Sequence, residues 1–590
     1  MAAAEKRTYL LVPAGGAGEG MGHLLRCLKL SEQLGPHVSF LVRHLDTGAR
    51  RLLAEALSQH PKRRPASLAR IPPGKHWDMI IVDARRTSAG ETAELMKHGL
   101  VACIDEGGEA RMLAPFTVDA LPGLPGRPAA NLAHPSFLFL PRRRRRAALP
   151  KSAPRILVSL GGEDKERLGE RLAASLAGRP GRITVVEGPL AGNRDWPPGV
   201  NVIRAPRGLA RAFDEHDLLI THFGMAAFEA LASGLPVVLF NPTRYHDRLG
   251  AAAGFASMGL GAPRTAKLAR LLRNPSRLQE QVEAFNTAAG KERGRNLARV
   301  LRSLSRIGSA ECPVCGRSGN AVIGRFPDRT YRRCARCGVI SLESFAGRRK
   351  KYDTGYFSSE YKAQYGRTYL EDFDSIRDAC RPRVAILGRL LDRKSDGFVV
   401  DVGCAYGPFL AALGEAGLPA FGLDVSPAAV SYVKKVLGVP ALGTDFEGVE
   451  RKRLPRRIAA LTMWYVLEHF PNADGVLEKA SALLPEGGVL AFSTPNGRGI
   501  SARRDLHRFL QNSPGDHFTI FSPRKLGKIL ARYGFTLHRV RVTGHHPERF
   551  PGILGRAAQK WMPVSRILRA ASVFLRLGDT FEAYAVKGEA

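Results

Sequence analysis

The stretch FVVDVGCAYGPFLAALGEAG, residues 398–417, reads as a strand, a tight turn and the opening of a helix. Its core is D-x-G-x-x-x-G, with Asp401 near the end of the apolar run and Gly403 and Gly407 in the turn. Glycines at such a turn let a ligand lie across the carboxyl edge of a sheet, where open α/β sheets bind their ligands. The next apolar run, FGLDVS at 421–426, ends in Asp424, 23 residues beyond Asp401. A carboxylate there can accept from both hydroxyls of a ribose. A dinucleotide fold uses the same logic, but its G-x-G-x-x-G turn is absent. Cys404 lies within the same cofactor loop and reads as a small filler rather than a nucleophile.

Outward from this turn, strands are expected at Val399–Val402, Ala420–Leu423, Ala459–Met463 and Val489–Thr494, with a closing strand at Thr580–Val586. Further segments are GTDFEG (443–448), LTMWYVLEHFPN (461–472) with the pair Glu468 and His469, LLPEGGVLAFSTPN (483–496) and DHFTIFSPRKLGKILARYGF (516–535). Together with the turn they resemble class I S-adenosylmethionine-dependent methyltransferases. The whole of 310–590, including YDTGYFSSEYKAQYGRTY at 352–369, is similar to bacterial methyltransferases that carry an N-terminal zinc ribbon. The resemblance implies a Rossmann-like domain with S-adenosylmethionine as cofactor, bound by Asp401, Gly403, Cys404, Gly407 and Asp424, with Asp445 as the adenine-side acid. It leaves His469 either as the general base for an acceptor hydroxyl or as a residue that closes the cofactor pocket. His517 is a second residue expected to face the acceptor.

Ahead of this region stand Cys312, Cys315, Cys334 and Cys337, as C-P-V-C and C-A-R-C separated by 18 residues, each pair followed by glycine. Two such knuckles can present four thiolates tetrahedrally, which points to a closed, structural zinc site in a small ribbon. A ribbon of this size buries little core, so the metal would supply its folding energy. A redox role is the alternative, but no thioredoxin-like pattern surrounds the pairs. Cys27, Cys103 and Cys380 read as ordinary buried thiols.

Residues 1–305 also alternate apolar runs with helical patterns. Strands are expected at Tyr9–Pro13, His37–Val42, Met79–Val82, Leu100–Ile104, Arg155–Leu160, Arg182–Val186, Leu218–Ile220 and Pro236–Phe240, with helices such as Leu24–Leu34 and Ala227–Ala232 between them. This predicts parallel sheets with crossover helices. A Pro- and Arg-rich segment, 121–154, divides the half into two lobes, and a helix-rich stretch, 265–306, closes it. GGAGEGMGHLLRCLKL (15–30) follows the first strand and opens a helix, whose unpaired N–H groups suit a phosphate. His23, directly after Gly22, stands at the mouth of that cleft. An imidazole there can take a proton from water, and capping or packing is the plain alternative.

These residues, with IIVD (80–83), CIDEGGEAR (103–111), ILVSLGGED (156–164) and DLLITHFGMAAFEALASGLPVVLF (217–240), resemble the UDP-sugar hydrolases of the pseudaminic acid pathway, which have a two-lobed, glycosyltransferase-like (GT-B) fold. The resemblance implies His23 as the base that activates water. It implies Gly22, Gly161, Gly162 and Gly224 as points of backbone approach to the sugar diphosphate, and Glu229 as the acceptor for the ribose hydroxyls of uridine. The implied reaction releases UDP and a free amino-sugar without a metal. The chain departs from the family pattern at Phe223-Gly224-Met225-Ala226, at Asp83-Ala84-Arg85 and at Asn241-Pro242.

At 590 residues the chain is too long for one core, and 44% hydrophobic with 24% charged residues describes folded domains rather than long disorder. No run approaches the ~18 apolar residues of a membrane span. The first apolar run leads into a glycine turn rather than a signal-peptide core, and eight cysteines make no disulfide framework, so a cytoplasmic location is expected. The net charge of +35 invites a nucleic-acid reading. The basic residues are spread along the chain apart from Arg142–Arg146, however, and an Arg-, Ala- and Gly-rich composition also marks a GC-rich genome, so nucleic acid is not the expected partner.

The expectation is an α/β chain of four parts: GT-B-like lobes at 1–140 and 151–305, a zinc ribbon at 310–345 and a class I methyltransferase domain at 346–590. Joined, they suggest a bifunctional protein of nucleotide-sugar or surface-glycan biosynthesis, with a UDP-sugar or amino-sugar substrate. One alternative makes the first half a glycosyltransferase or a non-catalytic nucleotide-sugar-binding unit. Another is a zinc-ribbon RNA methyltransferase. A third is a membrane-surface scaffold, weakly attracted through Arg142–Arg146 and the 545–575 tail, which reads as an amphipathic cap.

Overall fold

The computed structural model describes residues 7–16, 19–59, 65–121, 129–143, 149–150, 153–161, 164, 166–178, 181–188, 194–204, 209–290, 295–346, 361–391 and 397–588. The chain divides into two compact units, Met1–Leu304 and Ser305–Ala590.

In the first unit, β1 (Tyr9–Pro13), β2 (Val38–Leu41), β3 (Ala66–Leu68), β4 (Trp77–Asp83), β5 (Gly99–Ile104), β6 (Phe116–Asp119) and β7 (Leu132–Ala133) form a sheet in the order β3-β2-β1-β4-β5-β6-β7. β8 (Ile156–Ser159), β9 (Ile183–Glu187), β10 (Asn201–Arg204), β11 (Leu218–Thr221), β12 (Val237–Asn241) and β13 (Ala256–Leu260) form a second, in the order β10-β9-β8-β11-β12-β13. Every pairing in both sheets is parallel. Strand order therefore reverses between β1 and β4 and again between β8 and β11, the places where such sheets open a ligand crevice. The residues of β1, β8, β11 and β12 are all buried, which is why they read as unbroken apolar runs. The short strands β3 and β7 carry exposed residues and so show no period to find.

Helices Thr265–Arg273, Ser276–Ala289 and Arg295–Ser303 follow the second sheet. Of the basic run, Arg142 and Arg143 are exposed and Arg143 pairs with Glu283. Arg144, Arg145 and Arg146 lie outside the described residues.

The second unit carries the quoted turn. β14 (Ala321–Phe326), β15 (Arg329–Arg333) and β16 (Ile340–Ser344) form an antiparallel ribbon. β17 (Phe398–Val402), β18 (Ala420–Asp424), β19 (Ala441–Gly443), β20 (Ile458–Trp464) and β21 (Val489–Pro495) are parallel. After them come β22 (Thr519–Ile520), β23 (Phe535–Thr543) and β24 (Thr580–Lys587). The large sheet runs β19-β18-β17-β20-β21-β24-β23, with β24 antiparallel to both of its neighbours. Its period of two sorts neighbouring residues onto opposite faces: Val400, Leu461 and Phe492 enter one core, while Val399, Ala460 and Ala491 enter the other.

The ribbon is not free-standing. β22 extends its sheet, with Ile520 opposite Ile340, and Cys312, Val314, Cys334 and Val339 belong to the same core as Leu461 and Phe492. The Val314 carbonyl accepts from Arg532 Nη1 and from Tyr533 Oη. A ribbon too small to bury its own core thus borrows one.

Helices Gly552–Lys560 and Met562–Phe574 fill the connection from β23 to β24. The expected cap is largely inverted: apart from Leu568 the inward positions are small, and most of the large apolar side chains face water.

Candidate functional site

The reversal of strand order between β17 and β20 gathers most of the residues singled out around the quoted turn. Asp401, on β17, is buried and accepts from Thr462 Oγ1 at 2.6 Å, and burial pushes its carboxyl up to about 7. Asp424 closes β18. Its two oxygens accept from the Ala405 and Ser426 amides, each at 2.8 Å, and burial raises its carboxyl too. These backbone bonds fix the carboxylate's orientation and leave it lone pairs for further donors.

Gly403 has φ +72°, and a Cβ there would lie 2.5 Å from Val466 Cγ2, so the turn admits only glycine. Gly407 makes room for Leu437 and Val433. Cys404 fills the notch at Gly422, where a Cβ would meet its sulfur at 2.8 Å, and burial raises its thiol. Asp445 stands in the exposed turn after β19 and accepts from the Gly448 amide at 2.5 Å. The amide of its neighbour Thr444 donates to the Asp424 carbonyl, which holds this turn against β18.

Sequence reasoning assigned no role to the tyrosines beside this pocket. Tyr369 lies 5.0 Å from Tyr361 and 6.0 Å from Tyr406, ring to ring. Burial raises the Tyr369 hydroxyl, and Asp401 and Asp424 are among the charges acting on it. Tyr465, directly after β20, holds φ +58°, a strained conformation of the kind that collects at functional sites. Two oriented carboxylates, a turn open only to glycine and adjacent aromatic faces form a set that fits a nucleoside bearing a cationic sulfonium, as S-adenosylmethionine does.

Beyond β20, Glu468 is fully buried, and burial pushes its carboxyl up to about 7 against the opposing pull of His469 and Thr494. His469 Nδ1 lies 3.3 Å from Asp516 Oδ2. Burial alone would lower the His469 imidazole, but Asp516 and Glu468 raise it overall. The His517 ring stands edge-on to it at 4.8 Å. Ligand atoms of Glu468, His469 and His517 lie within 4.8 Å of one another, a spacing at which the three could hold a cation.

In the ribbon, the sulfurs of Cys312 and Cys337 are 3.5 Å apart, as are those of Cys315 and Cys334, and all four fall within 4.8 Å. A tetrahedral zinc–thiolate site needs sulfurs about 3.8 Å apart, so the cluster fits the ion. Gly316 and Gly338, both at positive φ, send their amides back to the Cys312 and Cys334 carbonyls and close the two knuckles.

In the first unit, His23 opens the helix Gly22–Leu34, and its Nδ1 lies 2.7 Å from Asp83 Oδ1 at the end of β4. Arg26 forks onto the same carboxylate, with Nε and Nη2 each at 2.6 Å, and its Nη1 reaches Asp105 at 2.5 Å. Burial would raise Asp83, but Arg26 and His23 hold its carboxyl below the usual range, whereas burial raises Asp105 despite Arg26. With Nδ1 tied to a carboxylate, the His23 ring is oriented and Nε2 remains for a ligand. Asp83 ended a recognised strand, but its role and those of Arg26 and Asp105 escaped sequence reasoning, because the partners lie 57 to 79 residues apart.

Gly161 and Gly224, expected to admit a ligand, flank the ring of His222. A Cβ on Gly161 would meet His222 Nε2 at 2.7 Å, and one on Gly224 would meet Cε1 at 3.3 Å. His222 Nδ1 is 2.9 Å from the Phe223 carbonyl, and burial lowers its pKa. Gly162 lies outside the described residues. Gly22 faces Met225, and Glu229 stands 3.7 Å from Lys29 Nζ, with burial raising its carboxyl against the pull of Lys29.

The methyltransferase-domain family matches residues 373–540. The chain is similar to the ubiquinone biosynthesis O-methyltransferase of Coxiella burnetii, 30% identical over 158 residues that make up 25% of this chain and 68% of that protein. The protein of the same name from Colwellia psychrerythraea is 24% identical over 164 residues, 25% of this chain and 67% of its own. A crystal structure of a SAM-dependent methyltransferase from Archaeoglobus fulgidus aligns over 39% of this chain and 98% of its own, at 14% identity and a TM-score of 0.28. Through its second unit the chain belongs to the class I S-adenosylmethionine-dependent methyltransferases.

Proposed function

We propose that the chain is bifunctional: the second unit methylates an oxygen of a small hydroxylated acceptor, and the first binds and hydrolyses a UDP-linked amino-sugar. The methyltransferase reading rests above all on Asp424, whose carboxylate is fixed by two backbone amides at the end of β18, one strand from the reversal point of the sheet. Asp424 holds the ribose of the cofactor, Asp445 takes its adenine side, and Asp401, Gly403, Cys404 and Gly407 shape the floor. S-adenosylmethionine, when bound, supplies an activated methyl group. The chain's own part is to position the acceptor and manage its proton: His469, set between Glu468 and Asp516, exchanges the hydroxyl proton, and His517 faces the acceptor. An oxygen acceptor is supported by the relatives, both named O-methyltransferases. The four ribbon cysteines hold a structural zinc.

The lobes at 1–140 and 151–305 form the hydrolase-like half, the ribbon spans 310–345, and the methyltransferase domain spans 346–590. In the first half, His23 Nε2 takes a proton from water while Asp83 orients the ring. Gly22, Gly161, Gly162, Gly224 and Glu229 border the UDP-sugar. Surface-glycan synthesis in the cytoplasm is the setting this pairing suggests. A second reading, a nucleotide-sugar-binding half without hydrolysis, is favoured by His222 seated between Gly161 and Gly224.

The test is to incubate the protein with UDP-amino-sugars and S-adenosylmethionine, then measure UDP and product masses. The bifunctional reading expects UDP release that His23→Ala abolishes, together with a product heavier by one methyl group that the same variant still forms from free sugar. Sugar binding without UDP release supports the second reading. No methylated sugar would sink the proposed acceptor class.

A further inference from the structure

The helical hairpin between β23 and β24 is built inside out. Its inward positions are Gly555, Ala558, Leu568 and Ser572, whereas Ile553, Leu554, Trp561, Met562, Ile567 and Phe574 point to solvent, Ile553 at 77% and Phe574 at 87% exposure. In the second helix Pro563, Ile567, Ala570 and Phe574 recur at the i, i+4, i+7, i+11 spacing of one outer face. The hairpin is also firmly seated. A Cβ on Gly555 would come 2.1 Å from the Phe550 carbonyl oxygen, so this helix lies backbone-to-backbone on the turn before it. His545 Nδ1 meets Ser572 Oγ at 2.8 Å, and Arg549 Nη1 donates to Asp579 Oδ2 at 2.6 Å at the hairpin's base. The exposed apolar face is therefore a fixed surface.

Its charges say what it meets. From Phe550 to Gly578 there is no aspartate or glutamate, and five cations, Arg556, Lys560, Arg566, Arg569 and Arg576, lie among the apolar side chains. Protein interfaces also collect arginine, methionine and aromatics, but they pair charges across the seam, and five cations with no carboxylate among them leave that pairing wholly to the other side. A nucleic-acid surface is dominated by Lys and Arg on phosphates, and a run of solvent-facing aliphatic side chains along a helix adds nothing to those contacts. Helices that lie in the plane of an anionic bilayer combine the two features found here, aromatic and aliphatic side chains for the acyl boundary and Lys or Arg for the headgroups. No helix among the described residues is long and apolar enough to cross a membrane. We propose that Gly552–Phe574 docks the chain, lying flat, on an anionic lipid surface through Trp561, Met562, Ile567 and Phe574, with Arg566 and Arg569 at the headgroups.

Sedimentation of the full chain with vesicles tests this. It should pellet with equimolar phosphatidylcholine and phosphatidylglycerol but not with phosphatidylcholine alone, and raised salt should release it. The emission of Trp561 should shift to the blue on binding. Arg566→Gln with Arg569→Gln should weaken binding about 25-fold, roughly fivefold per cation. Trp561→Ser with Phe574→Ser should weaken it at least about tenfold. All four side chains face solvent, so both variants should keep wild-type affinity for S-adenosylmethionine by calorimetry, and the wild-type response stands apart from either variant. Failure to bind anionic vesicles, or binding undiminished in both variants, overturns the proposal. So does a concentration-dependent dimer in light scattering that Trp561→Ser with Phe574→Ser abolishes, which would assign the face to a second copy.

Discussion

Asp83 carries two loads, since it orients His23 and neutralises Arg26 where almost no water reaches. Removing Asp83 takes the bidentate partner from a buried guanidinium and leaves it Asp105 alone, so Asp83→Asn should cost the first unit about 3 kcal/mol at neutral pH, read by denaturant titration. Asp83 is a carboxyl held below its ordinary value, so its stabilising share is present above pH ~4 and is lost as pH falls through the lowered value. The gap between wild type and Asp83→Asn should accordingly shrink in acid, because a protonated Asp83 resembles the asparagine. Asp105, raised by burial, shares Arg26 with Asp83, so its own titration also differs between the two proteins and enters the same pH profile. The residue scale also shows where a sequence stops informing. Asp401 and Asp424 were legible because each is a carboxylate in an otherwise apolar run before a glycine or serine turn. His222 was not, because Gly161 lies about sixty residues from it and only the parallel pairing of β8 with β11 seats the ring there. Tyr465 was not, because nothing in its neighbours announces a positive φ.

Among the elements, long central strands were readable and short edge strands were not. A strand buried on both faces must be apolar throughout, and β1, β11, β12 and β20 are close to that limit. β22 has only two residues, too few for any period, yet it pairs with β16 of the ribbon while Phe521 directly after it bridges to Asn496, which follows β21. The same β22 leads back to the acceptor side, since the Phe518 amide donates to the Glu468 carbonyl at 2.7 Å. Metal removal by a chelator, or Cys315→Ser, should therefore release more than the knuckles. Structural zinc contributes ~10 kcal/mol or more to such a site, so amide exchange across 312–340 should rise more than about a hundredfold. Exchange at 518–520 should rise with it, while β17 and β20 stay protected. Unchanged exchange at 518–520 would show that β22 stands without the ribbon.

Over the whole molecule, the described core residues Leu10, Val12, Val158 and Phe240 pack within the first unit, and Val400, Leu461 and Phe581 pack within the second. Heating should then give two transitions rather than one. S-adenosylmethionine at about a hundredfold excess over its Kd adds about 2.7 kcal/mol to the unit that binds it, raising that midpoint by roughly 5 °C and leaving the other in place. Differential scanning calorimetry reads this directly, and a shared shift would mean that the units melt as one. The borrowed strand also bears on how such a chain could have been assembled. Because Ile340 pairs with Ile520 across nearly two hundred positions of sequence, recombination just after the cysteine knuckles would strand half of a sheet on each side of the junction. A viable crossover lies ahead of Ser305 instead, so ribbon and methyltransferase would be inherited as one cassette, free to change the partner fused before them but not each other.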